Sequence, residues 1–300
     1  MLDLLNNNKL ILMEGSIVER VRRLTRVKLH HTLACAPLIY DNEGKEVLRE
    51  IYGSYMDVAE KAGLPFLYCT STRKANAERV KLSGLPQSIN LDNVRFLRSL
   101  RDERNKGGIM RIGGLVGVKN DAYKPDEALE TDEAKEFHSQ QINELCEGGV
   151  DFLIAQTLPS LTESLGIALA MEETGVPYII SFVVNRNGFL LDNTPLMKAI
   201  QNIDNKTGKK PAGYAVNCAY PSFLCPERQP KEVLERLIGY MANASSLDHS
   251  ELDSAPEMKA EPLDVWGDAM LELNKTYGVK ILGGCCGTTA EHLSYIVENR

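Results

Sequence analysis

The chain lacks three features that would each indicate a particular class of protein. It has no excess of basic residues: the net charge is -7, so little positive charge is available to neutralise nucleic-acid phosphates. It has no apolar run long enough to cross a bilayer. Its N-terminus lacks the basic start and continuous apolar stretch of a signal peptide. We therefore predict a cytoplasmic protein that acts on small molecules and has no nucleic-acid or membrane partner.

Motifs of two common enzyme classes are also missing. No G-x-G-x-x-G sequence follows a strand and opens a helix, so a Rossmann nucleotide site is not indicated. No serine–histidine–aspartate or cysteine–histidine pattern has a convincing local context, which argues against nucleophilic hydrolysis. The seven cysteines are an odd number at uneven spacing, which argues against a disulfide framework. In a reducing compartment their thiols stay available for packing, catalysis or metal.

The chain does contain an alternation of short apolar runs and longer amphipathic stretches, which is typical of βα units around a parallel sheet. A length of 300 residues allows either two small domains or one α/β barrel. Eight strand candidates without a composition break favour one closed (β/α)8 TIM barrel over residues 1–300. The seventh candidate could equally end a helix. The predicted strands are Leu10–Ser16, Phe66–Ser71, Ile112–Val118, Phe152–Thr157, Tyr178–Val184, Gly213–Cys218, Leu237–Ala242 and Lys280–Cys286.

Two helix starts and two polar stretches refine this prediction. Ser160 with Glu163, and Thr288 with Glu291, show the spacing of a capping box. The polar stretches 119–131 and 245–262 each follow a strand, so a barrel places them on its catalytic face. The second could cover the site as a lid.

Three cysteines lie where apolar runs give way to Gly, Pro or Thr. Cys218 ends AGYAVNC, and Cys285 and Cys286 end KILGGCC. Because parallel strand ends open onto one face of a barrel, these residues could converge. Three thiolates make a strong zinc site and leave one tetrahedral position open, as catalytic sites do. A substrate thiol bound there would lose its proton and could attack an electrophilic methyl carbon.

The residue types alone leave other interpretations open. Buried cysteine is a common small core residue. Cys285 and Cys286 could form a redox pair, although adjacent residues form strained disulfides. His30 and His31 are adjacent without a further ligand at good spacing, which is more typical of structural or surface histidines.

The segment GGCCGTTAEHL, paired with the distant VNC that ends at Cys218, resembles the signature of the homocysteine S-methyltransferase family. MEGS near the N-terminus and FHSQQINELCEGGVDFLIAQTLPSLTES are similar to weaker family segments, so the resemblance spans essentially the whole chain in order. It implies a (β/α)8 barrel, one zinc ion bound by Cys218, Cys285 and Cys286, and methyl transfer to homocysteine. The remaining cysteines match no ligand motif and are predicted to pack: Cys35, Cys69, Cys146 and Cys225.

The sequence departs from the family pattern where substrate is expected to bind. The family's early aspartate is Glu14 here, followed by Gly15, and the glutamate that binds the substrate ammonium is Gln156. Glutamine still accepts a hydrogen bond but without charge assistance. Arg73 stands where the family has an aromatic residue and would add positive charge. Asn217, beside the first cysteine, could orient substrate or zinc.

We therefore predict a zinc-dependent methyltransferase of methionine biosynthesis. It transfers a methyl group from a small donor, S-methylmethionine first and then S-adenosylmethionine or betaine, to the thiol of homocysteine. Two alternatives stay open: a different small thiol as the acceptor, or a non-catalytic relative that binds zinc or thiols. The sequence indicates no oligomeric state.

Overall fold

The chain forms a closed barrel of eight strands in the order β1 to β8. The computed structural model describes residues 1–104, 108–248 and 260–300. Every neighbouring pair of strands is parallel, so the predicted single (β/α)8 barrel is confirmed. The strands are β1 Ile11–Met13, β2 Phe66–Cys69, β3 Met110–Val116, β4 Phe152–Leu158, β5 Tyr178–Phe182, β6 Gly213–Asn217, β7 Leu237–Ala242 and β8 Ile281–Gly284.

All predicted strands are present, with ends moved by a few residues. The ambiguous seventh run is a strand that pairs with both β6 and β8, because the barrel cannot close without it. The described helices are α1 Leu2–Asn7, α2 Val18–Arg22, α3 Asn42–Ala62, α4 Ala77–Ser83, α5 Ile89–Glu103, α6 Thr131–Glu147, α7 Leu161–Glu173, α8 Leu196–Lys206, α9 Lys231–Arg236, α10 Leu263–Lys275 and α11 Ala290–Asn299. None of them is both long and apolar enough to span a bilayer.

The core has two layers because successive strand residues point to opposite faces of the sheet. One layer packs the outer face of the strands against the helices. The other layer fills the barrel, and Met1, Leu4 and Leu5 of the N-terminal segment pack against it at the amino-terminal end of the strands. Its strand residues are Ile11, Met13, Leu67, Cys69, Phe152, Ile154, Ile179, Ala215, Met241 and Ile281. The apolar filling leaves the carboxyl ends of the strands as the place for polar chemistry.

Helix α3 shows how local sequence supports the carboxyl ends of the strands. Asp41 caps it by accepting a hydrogen bond from the Gly44 N–H at 2.7 Å, and Gly63 ends it in the left-handed conformation. Its buried face carries two tyrosines that reach the strand ends. Tyr52 donates to the carbonyl of Cys69 at 2.6 Å, and Tyr55 donates to the carbonyl of Ser16 at 2.9 Å. The helix therefore holds the ends of β1 and β2 in place.

The predicted capping box at Ser160 is wrong. Helix α7 does begin after Ser160, but this residue makes no side-chain cap bond. Glu163 instead accepts hydrogen bonds from the Lys119 N–H at 2.8 Å and the Leu129 N–H at 3.3 Å, and it meets His138 Nε2 at 2.9 Å. Because the carboxylate has these tertiary partners, it holds down the loop after β3 rather than capping its own helix.

The second capping box lies one residue later than predicted. The Thr289 side chain accepts a hydrogen bond from the His292 N–H, and His292 Nδ1 accepts one from the Thr289 N–H at 3.2 Å. The predicted lid, 245–262, falls largely on 249–259, which lie outside the described residues.

Candidate metal centre

The sulfur atoms of Cys218, Cys285 and Cys286 meet at the carboxyl-terminal mouth of the barrel. All three lie within 4.8 Å of one another, and among the described residues they form a group that could hold a metal ion. The Cys218 N–H donates to the carbonyl of Met241 at 3.1 Å, and the Cys285 N–H donates to that of Ala242 at 2.7 Å. Both cysteines thus continue the pairing of their strands with β7, which explains why residues distant in sequence converge.

The sulfur atoms of Cys218 and Cys285 are in contact, and their Cα atoms lie 5.5 Å apart. This contact joins the end of β6 to the end of β8 and is not the adjacent pair considered from the sequence. A metal would need both sulfurs as thiolates, so metal binding requires the reduced chain. Cys286 is free and exposed.

The donor set fits a metal ion with one open position. Cys218, Cys285 and Cys286 would hold the ion through three thiolate sulfurs, a donor set that suits zinc and would leave one coordination position for a substrate. The protein around the Cys286 sulfur raises the pKa of its thiol, and Glu19 raises it further. Arg73 and Arg22 act in the opposite direction. Charged side chains of both signs therefore reach this mouth.

Asn217 connects the first cysteine to two neighbouring strands. Its Oδ1 accepts from the Thr157 N–H at 2.8 Å and from Ser181 Oγ at 2.7 Å. Its Nδ2 donates to Thr157 Oγ1 at 2.7 Å and to Cys218 Sγ at 3.2 Å. The fully buried amide thus has partners for both its oxygen and its nitrogen, and one of them is a candidate ligand atom.

The backbone is strained at both ends of this network. Thr157 has φ 62° and Cys218 has φ 53°, the left-handed region that residues other than glycine rarely adopt. The register of β4 against β5 also shifts between Ala155 and Leu158. Each such residue costs about 1–3 kcal/mol and persists only where its surroundings hold it. Asn217 bonds to both residues and helps to hold them.

Sequence reasoning missed Asn243, which follows β7 and lies between the two ligand-bearing strands. Its Nδ2 donates to the carbonyl of Cys218 at 3.0 Å, and its Oδ1 accepts from the Cys286 N–H at 3.2 Å. Its own carbonyl accepts from Trp266 Nε1 at 3.0 Å. The sequence shows an asparagine directly after the predicted strand Leu237–Ala242. Only the closed barrel shows that this residue is buried and bridges two cysteines.

The glycines before the cysteine pair permit a close approach of backbone segments. A Cβ on Gly284 would lie 2.1 Å from Thr288 Oγ1, and one on Gly283 would lie 2.9 Å from Met13 Cβ. Thr288 Oγ1 donates to the carbonyl of Cys285 at 2.7 Å. A side chain at Gly283 would therefore push the segment away from β1, and one at Gly284 would clash with Thr288 within the cysteine turn.

Glu14 lies beside this turn, and its backbone carbonyl accepts from the Gly284 N–H at 3.1 Å. It is buried, and its Oε1 accepts from the Cys69 N–H at 2.9 Å, while its Oε2 has no hydrogen-bond partner among the described residues. Burial raises the pKa of Glu14 to about 7, and the bond from Cys69 opposes that rise only in part. Gly15 has a packing role, since a Cβ there would lie 2.9 Å from the Tyr55 ring.

We expect Glu14→Gln to change how stability depends on pH. The pKa of Glu14 rises from 4.5 to about 7 on folding, so the folded state binds its proton more tightly. The wild-type chain then loses stability as pH rises from about 4.5 to about 7, by roughly 3 kcal/mol at most. In urea unfolding at pH 5 and pH 8, the free energy of unfolding of the variant relative to wild type should be higher at pH 8. An equal stability difference at both values would contradict this; exposed Glu46→Gln is the matched control.

Gln156 and the remaining cysteines lie outside the cluster. Gln156 is half-buried at the irregular end of β4, and its side chain makes no hydrogen bond with a described residue. The other cysteines pack within the protein or partly so: Cys35, Cys69, Cys146 and Cys225. None of them belongs to the candidate metal group among the described residues.

A closed parallel barrel with three cysteine sulfurs at its carboxyl-terminal mouth defines a (β/α)8 protein with a candidate metal centre. The family model "Homocysteine S-methyltransferase" matches residues 11–299. The chain belongs to this family, as the sequence resemblance indicated, and is therefore a methyltransferase.

Individual relatives are distant but cover the chain. Homocysteine S-methyltransferase YbgG of Bacillus subtilis is 23% identical and covers 98% of this chain and 95% of its own length. Betaine–homocysteine S-methyltransferase 1 of Rattus norvegicus is 24% identical over 99% of this chain and 74% of its own length. The metallated homocysteine methyltransferase MmuM from Escherichia coli has the same fold, with a TM-score of 0.77 at 19% identity and 99% of each chain covered.

Proposed function

We propose that this chain is a zinc-dependent homocysteine S-methyltransferase that forms methionine. The observation that carries the proposal is the convergence of three cysteine sulfurs within 4.8 Å in a chain of this family. The names of the bacterial and mammalian relatives support homocysteine as the acceptor. The convergence explains why such distant cysteines belong to one site.

Zinc is the metal that this donor set suits best. Thiolate sulfur binds zinc strongly, whereas magnesium and calcium prefer oxygen ligands. Zinc held there would supply a Lewis acid that favours loss of the acceptor thiol's proton at neutral pH. A reducing compartment would keep Cys218 and Cys285 as free thiols, which this role requires.

The chain's own residues hold the reacting groups in position. Asn217 donates to Cys218 Sγ, and Asn243 ties the backbones of Cys218 and Cys286 together, so the three sulfurs keep their arrangement. In the reaction the acceptor thiol loses its proton to solvent and its sulfur forms a bond to the methyl carbon. The donor's bond to that carbon breaks, and its electron pair stays on the donor. Positioning of both reactants lowers the barrier.

The methyl donor is a small onium compound, with S-methylmethionine first and S-adenosylmethionine or betaine next. Each carries a methyl group on a positively charged atom, so the donor leaves as a neutral thioether or amine. The name of the rat relative supports betaine as one such donor.

Zinc content of purified, reduced protein, followed by methylation assays with homocysteine and the three donors, tests the proposal. We expect near-stoichiometric zinc and methionine formation with one donor. Zinc without methionine would favour another acceptor thiol or a non-catalytic thiol-binding role. Absence of zinc after reduction and reloading would contradict the proposal.

A further inference from the structure

Two basic residues after β2 have no counter-ion in the described part of the chain. Neither Arg73 nor Lys74 makes an ion pair or side-chain hydrogen bond there. Their loop is nevertheless firmly held at the preceding residue. Thr72 Oγ1 donates to the carbonyl of Leu115 at 2.7 Å, and Gln141 Nε2 donates to the carbonyl of Thr72 at 2.7 Å. The two cations are therefore presented by a fixed loop on the catalytic face.

The loop lies on the same face of the barrel as the cysteine cluster, because the strands are parallel and both segments follow the carboxyl ends of their strands. Arg73 packs against Gly117, just beyond β3, where an added Cβ would lie 2.6 Å from Arg73 Cγ. Arg22 lies on helix α2, which begins two residues after Ser16, and the Ser16 N–H donates to Thr288 Oγ1 in the cysteine turn at 3.2 Å. The positive charges thus lie at the same mouth of the barrel as the candidate metal centre.

Like charges accumulate around Lys74. Burial lowers the pKa of its ammonium, and Arg73, Arg79 and Arg22 lower it further, while Asp121 acts in the opposite direction. Arg79 already has one hydrogen-bond partner, since its Nη2 donates to the carbonyl of Lys119 at 2.7 Å. Because these cations repel one another, binding of an anion among them is favourable.

The candidate site offers little negative charge that could bind the ammonium group of a substrate. Glu14 is buried with a pKa of about 7, so it carries only part of its charge at neutral pH. Gln156 carries none. Glu19 is already paired, with its carboxylate 3.3 Å from Arg22 and 2.7 Å from Arg23.

We infer that Arg73 and Lys74, with Arg22 and Arg79 beside them, form an anion subsite that selects the acceptor thiol by its acid group and not by an ammonium. The inference rests on the proposed thiol methylation and names its acceptor class: small thiols that carry a carboxylate or a sulfonate. Homocysteine satisfies it through its carboxylate. An arginine and a lysine together suit such a group because charge-assisted bonds to carboxylates are strong and directional.

Three thiols of matched length test this selection in binding to reduced, zinc-loaded protein without donor. 4-Mercaptobutyrate is homocysteine without its amino group, and 3-aminopropane-1-thiol is homocysteine without its carboxylate. We expect 4-mercaptobutyrate to bind at least as tightly as homocysteine, and the aminothiol to bind about tenfold or more weakly. The corresponding methyl thioethers, measured on metal-free reduced protein, should show the same order. Because no turnover is needed, failure of methyl transfer would not be confused with failure of this inference.

Two variants test which side chains bind the acid group of the thiol. Arg73→Gln with Lys74→Gln should weaken both acid thiols about tenfold and leave the aminothiol unchanged. Gln156→Glu should shift preference from 4-mercaptobutyrate towards homocysteine by restoring a negative charge. Arg95→Gln with Lys61→Gln, exposed on helices α5 and α3, is the matched charge control and should change no affinity.

Three results would overturn the inference. One is an aminothiol that binds wild type as tightly as the acid thiols. Another is an equal loss for all three thiols in the Arg73 and Lys74 variant, which would indicate a structural role. The third is an Arg73 and Lys74 variant that binds all three thiols as wild type does but binds the methyl donors more weakly, which would assign the basic residues to the donor.

Discussion

Cys286→Ala should remove most bound zinc and essentially all methyl transfer while the barrel stays folded. Cys286 is exposed and unbonded, so its truncation creates no core cavity. It nevertheless supplies one of three sulfurs that lie within 4.8 Å of one another. Loss of a ligand should lower zinc affinity by more than the ~100-fold that loss of a supporting residue can cause. Metal analysis after dialysis and a methylation assay measure both effects.

Cys218→Ala and Cys285→Ala should give the same loss of zinc and activity. Cys146→Ala is the control, because this half-buried cysteine lies outside the cluster. It should retain zinc and turnover. Circular dichroism should show the same helix and strand content in all four proteins. Retained zinc and activity in any of the three cluster variants would refute the ligand assignment.

Asn217→Ala should weaken zinc binding and destabilise the fold together. The substitution leaves the Thr157 N–H and the Ser181 hydroxyl without their buried acceptor and removes the donor to Cys218 Sγ. We expect about 10–100-fold lower zinc affinity, measured by competition with a chelator. We also expect a loss of about 2–3 kcal/mol in the free energy of unfolding, measured by urea denaturation of the metal-free protein.

Two further variants separate the roles of this amide. Asn217→Asp keeps an oxygen acceptor for Thr157 and Ser181 but places negative charge beside the Cys218 sulfur, so zinc affinity should fall with a smaller loss of stability. Asn93→Ala is the matched control: this buried amide donates to the carbonyls of Ala36 and Ile89, away from the cysteines. It should cost stability and leave zinc affinity unchanged. Unaltered zinc affinity in both Asn217 variants would show that the bond to sulfur has no part in metal binding.

Much of the fold was predictable because a parallel barrel repeats a local pattern. Each strand is a short apolar run covered on both sides, and each is followed by an amphipathic stretch that ends in a turn. The run Leu237–Ala242 was ambiguous because six residues fit a strand or the end of a helix equally well. Its pairing with β6 and β8 decides the matter, and that pairing is a property of the closed sheet.

The capping predictions went wrong for a related reason. Ser160 and Glu163 have the spacing of a capping box, yet Glu163 bonds instead to the loop after β3 and to His138. A carboxylate on the first turn of a helix takes the best donors available, and the tertiary structure brought donors that local spacing could not show.

The sequence by itself determined the barrel and the position of three cysteines at strand ends, since apolar periodicity and residue type are local properties. That these cysteines bind zinc is what the family resemblance predicts. Only the tertiary structure decided which partners surround those cysteines. Asn243 bridges Cys218 and Cys286, Asn217 joins Cys218 to Thr157, and Arg73 packs against Gly117 because barrel closure and strand register bring distant segments together. Such contacts depend on how neighbouring strands align, and a linear pattern does not record that alignment.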